Sequence, residues 1–348
     1  MQIALLGDIM IQGLATEYAL RDGGDELVSR IKQIIGSADV AIGNFETFIC
    51  PPDVPPGTEW YSPPEAVEIV ARAGFDAVSV VNGHTWDHGE AAIIYTLEKL
   101  KSAGVEVYGL GDQSGAEPEG VIIEREGVRI GMLGYCSGST VLRRSSFTGL
   151  APSKKRLTKD ISNLRGGCDV LIVSVHHGYG EYPSPEHRSW AKAAIEAGAD
   201  AFVSHHSHLI SAIEQIGNGV AAYGLGNIVA SLNLSRPGNI CLRLEIRERK
   251  VVDWSYDVFF LDDRGFPEFG NEEERKALRE HIEKISKDLA RDDYSRFYWS
   301  LFSQDDRAKY LRSWKRNIKT YGIKTIFKNI RRIRAHHLRL LWKMLFRH

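Results

Sequence analysis

The chain has 348 residues, 43% of them hydrophobic and 26% charged, and a formal net charge of −1. Such a composition supports a sizeable globular core and excludes a disordered, collagen-like or disulfide-scaffold protein; no run of about 18 apolar residues offers a bilayer span. The near-neutral total hides an asymmetry, because residues 307–348 carry fourteen Lys or Arg and no acid, leaving −15 on the remainder.

Taken in chain order, short apolar runs alternate with helical patterns. A strand is predicted over 3–6, a helix over 25–35, a strand over 40–42, a helix over 64–73, a strand over 77–81 and a helix over 90–103. Residues 121–123 and 128–133, joined by Glu124-Arg125-Glu126-Gly127, read as a hairpin. A helix over 154–164, a strand over 171–175, a helix over 185–197 and a strand over 201–203 follow. Residues 240–246 and 251–260 form a second strand pair, and 272–289 is a charged helix. The fold class is α/β, mixed sheets flanked by helices. Strands stop at Asp262-Asp263-Arg264-Gly265, which divides the chain into 1–265 and a helical, basic extension over 266–348.

The strand runs end on polar side chains of one chemical kind: Asp8, Asn44 with Glu46, Asn82 with His84, His176, and His205-His206-Ser207-His208. Side chains at the carboxyl ends of strands in an α/β sheet converge on one crevice. Carboxylates, amides and imidazoles without thiolate suit divalent cations, and mixed N and O donors favour Mn, Fe or Zn over Ca. Two such cations stabilise the attacking and leaving oxygens of an in-line displacement. His206 and His208, two apart after a strand, would point to one side in extended geometry, with His205 pointing away. The cysteines, Cys50, Cys136, Cys168 and Cys241, lack paired spacing and read as reduced, small hydrophobes. No basic segment followed by an apolar stretch opens the chain, so a cytoplasmic location is the default expectation.

Seven motifs in order carry a resemblance: Gly7-Asp8-Ile9-Met10, Gly43-Asn44-Phe45-Glu46-Thr47, Asn82 to Gly89, His176-His177-Gly178 with Glu181-Tyr182, Gly198-Ala199-Asp200, His205 to His208, and Tyr223 to Asn227. Over roughly residues 1–260 the chain resembles the CapA-like proteins, a family linked to poly-γ-glutamate capsule synthesis within the calcineurin-like metallophosphoesterase superfamily. The resemblance implies a four-layer α/β/β/α sandwich with two divalent metals at the strand ends. It implies that Asp8 and His208 ligate one metal, that Asn82, His176 and His206 hold the second, and that Glu46 lies between or near both. His84 would stand near the scissile group as proton donor or charge stabiliser. Two departures matter. Gly83 stands where superfamily members usually have Asn, with the amide one residue earlier at Asn82, and Met10 stands where many phosphoesterases place a His.

Other residues keep two readings each. Asp87 either orients His84 by accepting its second ring N–H or caps a turn. Asn44 supports Glu46, ligates, or satisfies loop backbone; His177 and Glu181 are substrate contacts or ordinary loop residues. The run ending at Asn227 is a turn positioning the site, since its glycines match no phosphate cradle. The tail over 307–348 interleaves Trp, Phe, Leu and Ile with its cations, a pattern for an anionic membrane surface, for docking on an acidic body, or, less favoured, for nucleic acid. Three functions are expected to compete: a metal-dependent phosphoesterase-like hydrolase acting on an anionic polymer or phosphoester, a non-catalytic assembly factor organising capsule synthase subunits, and an amide hydrolase acting on polyglutamate.

Overall fold

The computed structural model describes residues 1–58, 60–111, 118, 120–137, 147–231 and 238–301. The basic tail over 307–348 and most of the loop over 137–150 lie outside the described residues. Contacts divide the chain into Met1–Arg291 and Asp292–His348.

The elements of the first unit are β1 (Gln2–Met10), α1 (Leu14–Ala19), α2 (Asp25–Ile35), β2 (Val40–Phe45), α3 (Glu65–Ala73), β3 (Ala77–Ser79), α4 (Gly89–Ser102), β4 (Glu106–Tyr108), β5 (Val121–Arg125), β6 (Val128–Cys136), α5 (Lys154–Arg165), β7 (Val170–His176), α6 (Pro185–Glu196), β8 (Ala201–His205), β9 (Ile213–Ile216), β10 (Gly219–Ala222), β11 (Asn227–Ala230), β12 (Gly238–Arg247), β13 (Lys250–Leu261), β14 (Pro267–Glu268) and α7 (Glu272–Lys287). In the second unit the described part holds α8 (Tyr294–Leu301). Helices start where the sequence supplies caps: the side chains of Ser153 and Ser184 accept backbone N–H groups at α5 and α6, and Asn271 with Glu274 forms a capping box on α7.

Two sheets result. One runs β14-β13-β12-β1-β2-β3-β4 with β11 beside β1, and the other runs β5-β6-β7-β8-β10-β9. Each has a parallel centre, β1 to β4 or β6-β7-β8-β10, extended by antiparallel strands. Strand alternation sorts the apolar side chains into two cores. Ile3, Leu5, Val40 and Ile42 face Ile130, Met132, Val170, Ile172, Ala201 and Val203 between the sheets. Ala4, Leu6, Ala41 and Phe45 face the other way and pack with Leu27, Ile31, Val67, Val70 and Ile93 of the helices. Helices α5 and α6 pack against β6 and β8. The architecture is the α/β/β/α sandwich. Truncating a side chain such as Leu5 in the inter-sheet layer would cost about 2–5 kcal/mol.

Helix α7 lies beyond the end of the sandwich as the sequence divides it, yet it belongs to the first compact unit. It packs on β9, the edge strand of the second sheet, and on β13, next to the short edge strand β14 of the first, and inserts Ile282 with Leu278 into the inter-sheet core. It closes that edge.

Candidate metal centre

Register builds the site. In the first sheet Asp8 pairs with Asn44 across β1 and β2 and with Asn227 across β1 and β11. In the second, His176 pairs with His205 across β7 and β8. Asp8, Asn44, His176 and His205 lie at the carboxyl ends of their strands. Two glycines make the β1–β11 approach possible: a Cβ at Gly7 would overlap the Gly226 carbonyl, and that carbonyl accepts the Asp8 N–H at 3.0 Å.

Asp8, Glu46 and His176 offer ligand atoms lying within 4.8 Å of one another, all buried. Around Glu46 Oε1 stand three imidazole Nε2 atoms, His176 at 3.7 Å, His208 at 3.8 Å and His84 at 3.9 Å. Around Asp8 stand His205 Nδ1 at 2.9 Å and His208 Nδ1 at 3.2 Å, and its Oδ2 accepts the His206 N–H at 3.3 Å. Asn44 donates from its amide to Asp8 at 2.8 Å and to Glu46 at 3.4 Å, which orients both carboxylates. His206 Nδ1 lies 3.1 Å from His176 Nε2. Asn227 Oδ1 is 3.0 Å from His208 Nδ1, and Asn239 holds the Asn227 N–H.

The backbone of the histidine loop is strained. Non-glycine residues at positive φ among the described residues are Glu126, Glu248 and Arg249, in hairpin turns, and His206 (φ 92°) and His208 (φ 56°). Each such residue costs on the order of 1–3 kcal/mol, held in place by surrounding structure. This overturns the extended reading: His205 ends β8 facing Asp8, and the chain turns after it at His206 and His208.

Electrostatics are those of a cation site. Burial pushes the Glu46 carboxyl well up, and the neighbouring Asp8 charge pushes it further. Burial acts on Asp8 in the same direction, but His205 and His208 outweigh it and hold that carboxyl well below the usual range. Burial drives His176 and His206 down, toward the neutral, ligating form. Burial also lowers His208, but Asp8 reverses the shift and raises it. Two buried nitrogens, His176 Nδ1 and His205 Nδ1, have no hydrogen bond. Adjacent carboxylates, neutral imidazoles and orphaned ring nitrogens in one buried cluster fit a divalent cation, whose charge would relieve the Asp8–Glu46 repulsion.

His84 flanks the cluster. Its Nδ1 is 2.7 Å from Asp87 Oδ2 and its ring stacks on Trp60, centroids 5.5 Å apart. Trp60 sits on a loop pinned by His88, whose Nδ1 accepts the Gly57 N–H at 3.0 Å and whose Nε2 reaches the Trp60 carbonyl at 2.8 Å. Neither role is visible in residue type; His88 lies inside the quoted motif, but Trp60 gives no sequence signal.

Three expected site residues face elsewhere. Asn82 adjoins the cluster, yet its Oδ1 accepts the His84 N–H at 2.9 Å and its Nδ2 donates to the Phe45 carbonyl at 2.9 Å, so it shapes the turn. Its amide is not presented as a ligand. Gly83 backs onto His176, where a Cβ would stand 3.3 Å from Nε2. His177 turns away, bonded through Nδ1 to Ser137 and packed edge-on against His187 and Trp190. Glu181 pairs with His281 of α7 at 3.0 Å. Beside it Tyr182 donates to Asp288 at 2.8 Å, and Ile213 N–H donates to Ser286 at 2.9 Å, so α7 anchors the loop after His176.

The fold is the one seen in calcineurin-like phosphoesterases. The calcineurin-like phosphoesterase YfkN from Bacillus subtilis superposes with TM-score 0.50 at 15% identity, covering 84% of this chain and 99% of that one. A hypothetical protein from Thermus thermophilus gives 0.52 at 14% identity, covering 75% and 99%. The family model described as "Bacterial capsule synthesis protein PGA_cap" matches residues 2–231. The chain belongs to that family. It is 27% identical over 242 residues to the capsule biosynthesis protein CapA of Bacillus anthracis, covering 65% of this chain and 59% of that protein. It is 25% identical over 236 residues to the PGA biosynthesis protein CapA of Bacillus subtilis strain 168, covering 65% and 62%. The match thus spans about three fifths of these relatives' length. Among the described residues no helix is long and apolar enough to cross a membrane.

Proposed function

We propose that the protein is a metal-dependent hydrolase of the phosphoesterase type, acting in synthesis or remodelling of an anionic surface polymer such as poly-γ-glutamate. The observation that carries this reading is the convergence of Asp8, Glu46, His176, His206 and His208 beside the His84–Asp87 pair. A pair of divalent cations (Mn, Fe or Zn), when bound, would polarise the electrophile and lower the pKa of water.

The chain's own residues supply the rest. Asn44 fixes both carboxylates, and His176 and His206 stay neutral through burial. Asp87 accepts the His84 Nδ1–H, which leaves Nε2 toward the cluster, 3.9 Å from Glu46. At Nε2 a proton is taken from the attacking group or delivered to the departing oxygen. Trp60 covers one face of the imidazole and keeps water from it.

Metal analysis followed by a screen of phosphomonoesters, phosphodiesters and polyglutamate with added Mn, Zn or Fe tests the proposal. Metal-dependent turnover that falls by about 100-fold or more in His84→Gln is the expected result. Tight metal uptake without turnover would replace it with the assembly role alongside capsule synthase subunits, and cleavage confined to polyglutamate would make the enzyme an amide hydrolase. Attachment of residues 307–348 to anionic membrane is a separate proposal, resting on charge in the sequence alone. Equal flotation on anionic liposomes with and without that segment would remove it.

A further inference from the structure

We propose that His205 is itself a metal ligand, binding through Nδ1 the cation held by Asp8 and His208. The proposal rests on the metal-site reading above and adds a nitrogen that the family resemblance does not assign. His205 is 4% exposed. Its Nδ1 lies 2.9 Å from Asp8 Oδ1, an ion-pair distance, but in a direction that makes no hydrogen bond. A buried polar atom without a partner costs about 1–3 kcal/mol, and such atoms are rare unless something absent satisfies them.

The alternatives for this nitrogen are limited. Asp8 Oδ1 already accepts from the Asn44 amide at 2.8 Å, and Oδ2 is approached by His206 N–H and His208 Nδ1. Four nitrogens thus crowd the two oxygens of one buried carboxylate, two at each, which leaves it no further acceptor capacity. A cation seated among Asp8, His205 and His208 would satisfy the orphan and the crowded carboxylate together. The backbone agrees: His205 ends β8 beside Asp8, and positive φ at His206 and His208 turns the chain so that His208 reaches Asp8 as well. Met10, two residues beyond Asp8 on the same strand, is fully buried in the apolar core, so β1 brings no second donor to this end of the cluster. Nitrogen arrives from β8 instead.

The test uses the full-length protein stripped of metal and titrated with Zn²⁺ against a chromophoric chelator, with His205→Ala, His205→Gln and Asp8→Asn beside wild type. Near-ultraviolet circular dichroism of the stripped proteins checks folding, and His205→Gln preserves polarity and most of the volume should the alanine variant collapse. Loss of even an outer partner of a ligand typically weakens metal binding 10–100-fold, so loss of a direct ligand is expected to weaken one Zn²⁺ equivalent by at least about tenfold. The equivalent affected is expected to be the one that Asp8→Asn loses, with the other unchanged. X-ray absorption of the Zn²⁺-loaded protein is expected to show fewer imidazole nitrogens per metal in the His205 variants. Wild-type affinity and nitrogen count in both His205 variants, with loss in Asp8→Asn, would overturn the proposal while leaving the metal centre standing. A wild-type protein that takes up no Zn²⁺ would overturn both.

Discussion

The two halves of the cluster are built differently. The first sheet contributes oxygen donors, Asp8 and Glu46, at the ends of parallel strands whose register shifts at Asp8 and sets it beside Asn44. The second contributes nitrogen donors, His176, His205, His206 and His208, and the last three border or sit on a loop bent by positive φ. In the acid half burial and Asp8 oppose the ionisation of Glu46; in the strained imidazole half the buried His176 Nδ1 and His205 Nδ1 make no hydrogen bond. A cation satisfies both. The contrast teaches that the strain belongs to the half that must reach across between sheets, where no ladder can fix the geometry.

The sharpest way to break this comparison is Glu46→Gln. The substitution replaces a buried carboxyl whose ionisation burial and Asp8 oppose with a neutral amide of the same shape, so the metal-free protein is expected to melt at the same temperature or higher. Metal-induced stabilisation, about 2.7 kcal/mol at a metal concentration 100-fold above the dissociation constant, is expected to vanish. Differential scanning calorimetry with and without Zn²⁺ reads both. A metal-free protein that loses stability would show the carboxylate to be structural.

The pH dependence separates the halves next. Glu46 is raised by burial and by Asp8, so above the ordinary carboxylate range it still holds a proton that a metal must displace. His208 is raised by Asp8 against the opposing effect of burial, so its favourable pairing is fully present below the unfolded imidazole value of 6.5 and lost as pH rises through the folded value. Both effects work in one direction. His176 and His206, lowered by burial, work the other way but only up to their unfolded value of 6.5; above it the metal-free protein loses stability, the metal competes with fewer protons, and the metal-induced rise in melting temperature is expected to grow. Melting scans with and without metal between mildly acidic and mildly alkaline pH check this; a shift that shrinks with rising pH would contradict it.

Legibility in the sequence follows the same division. The parallel strands ending in Asp8, Asn44 and His176 announce themselves as apolar runs before a polar residue, and the helices by their caps. Short β4, β9, β10 and β11 leave no such mark, because three or four residues give no period to read. His205, the last residue of β8, is misdirected when its side is counted back from His206 and His208, which positive φ takes out of strand alternation. Asn82 is expected among the donors because amide chemistry is visible in a sequence, whereas the commitment of its oxygen to the His84 N–H is not. Trp60 is beyond foresight, since its place depends on His88 gripping a loop some thirty residues earlier.

A smaller effect is expected from Trp60→Ala. Aromatic stacking of this kind is worth about 0.5–1.5 kcal/mol. If that energy holds His84 in place for the reaction, kcat should fall by up to about tenfold with metal affinity unchanged. A change in metal affinity would instead make the indole part of the binding shell.

The weakest expected effects concern α7, and they grade its grip on the loop after His176. Tyr182 donates to Asp288 in a partly buried setting, and burial together with that carboxylate pushes its hydroxyl up to about 12. Tyr182→Phe should cost about 1 kcal/mol. The neighbouring pair, His281 with Glu181, has side chains 38% and 44% exposed, and solvent screens such pairs to well under about 1 kcal/mol. His281→Gln is therefore expected to leave both melting temperature and metal affinity nearly unchanged, while Tyr182→Phe lowers the first measurably. If His281→Gln proved the costlier of the two, the anchoring by α7 would run through the exposed ion pair, and the loop after His176 would depend on salt concentration as the buried cluster itself does not.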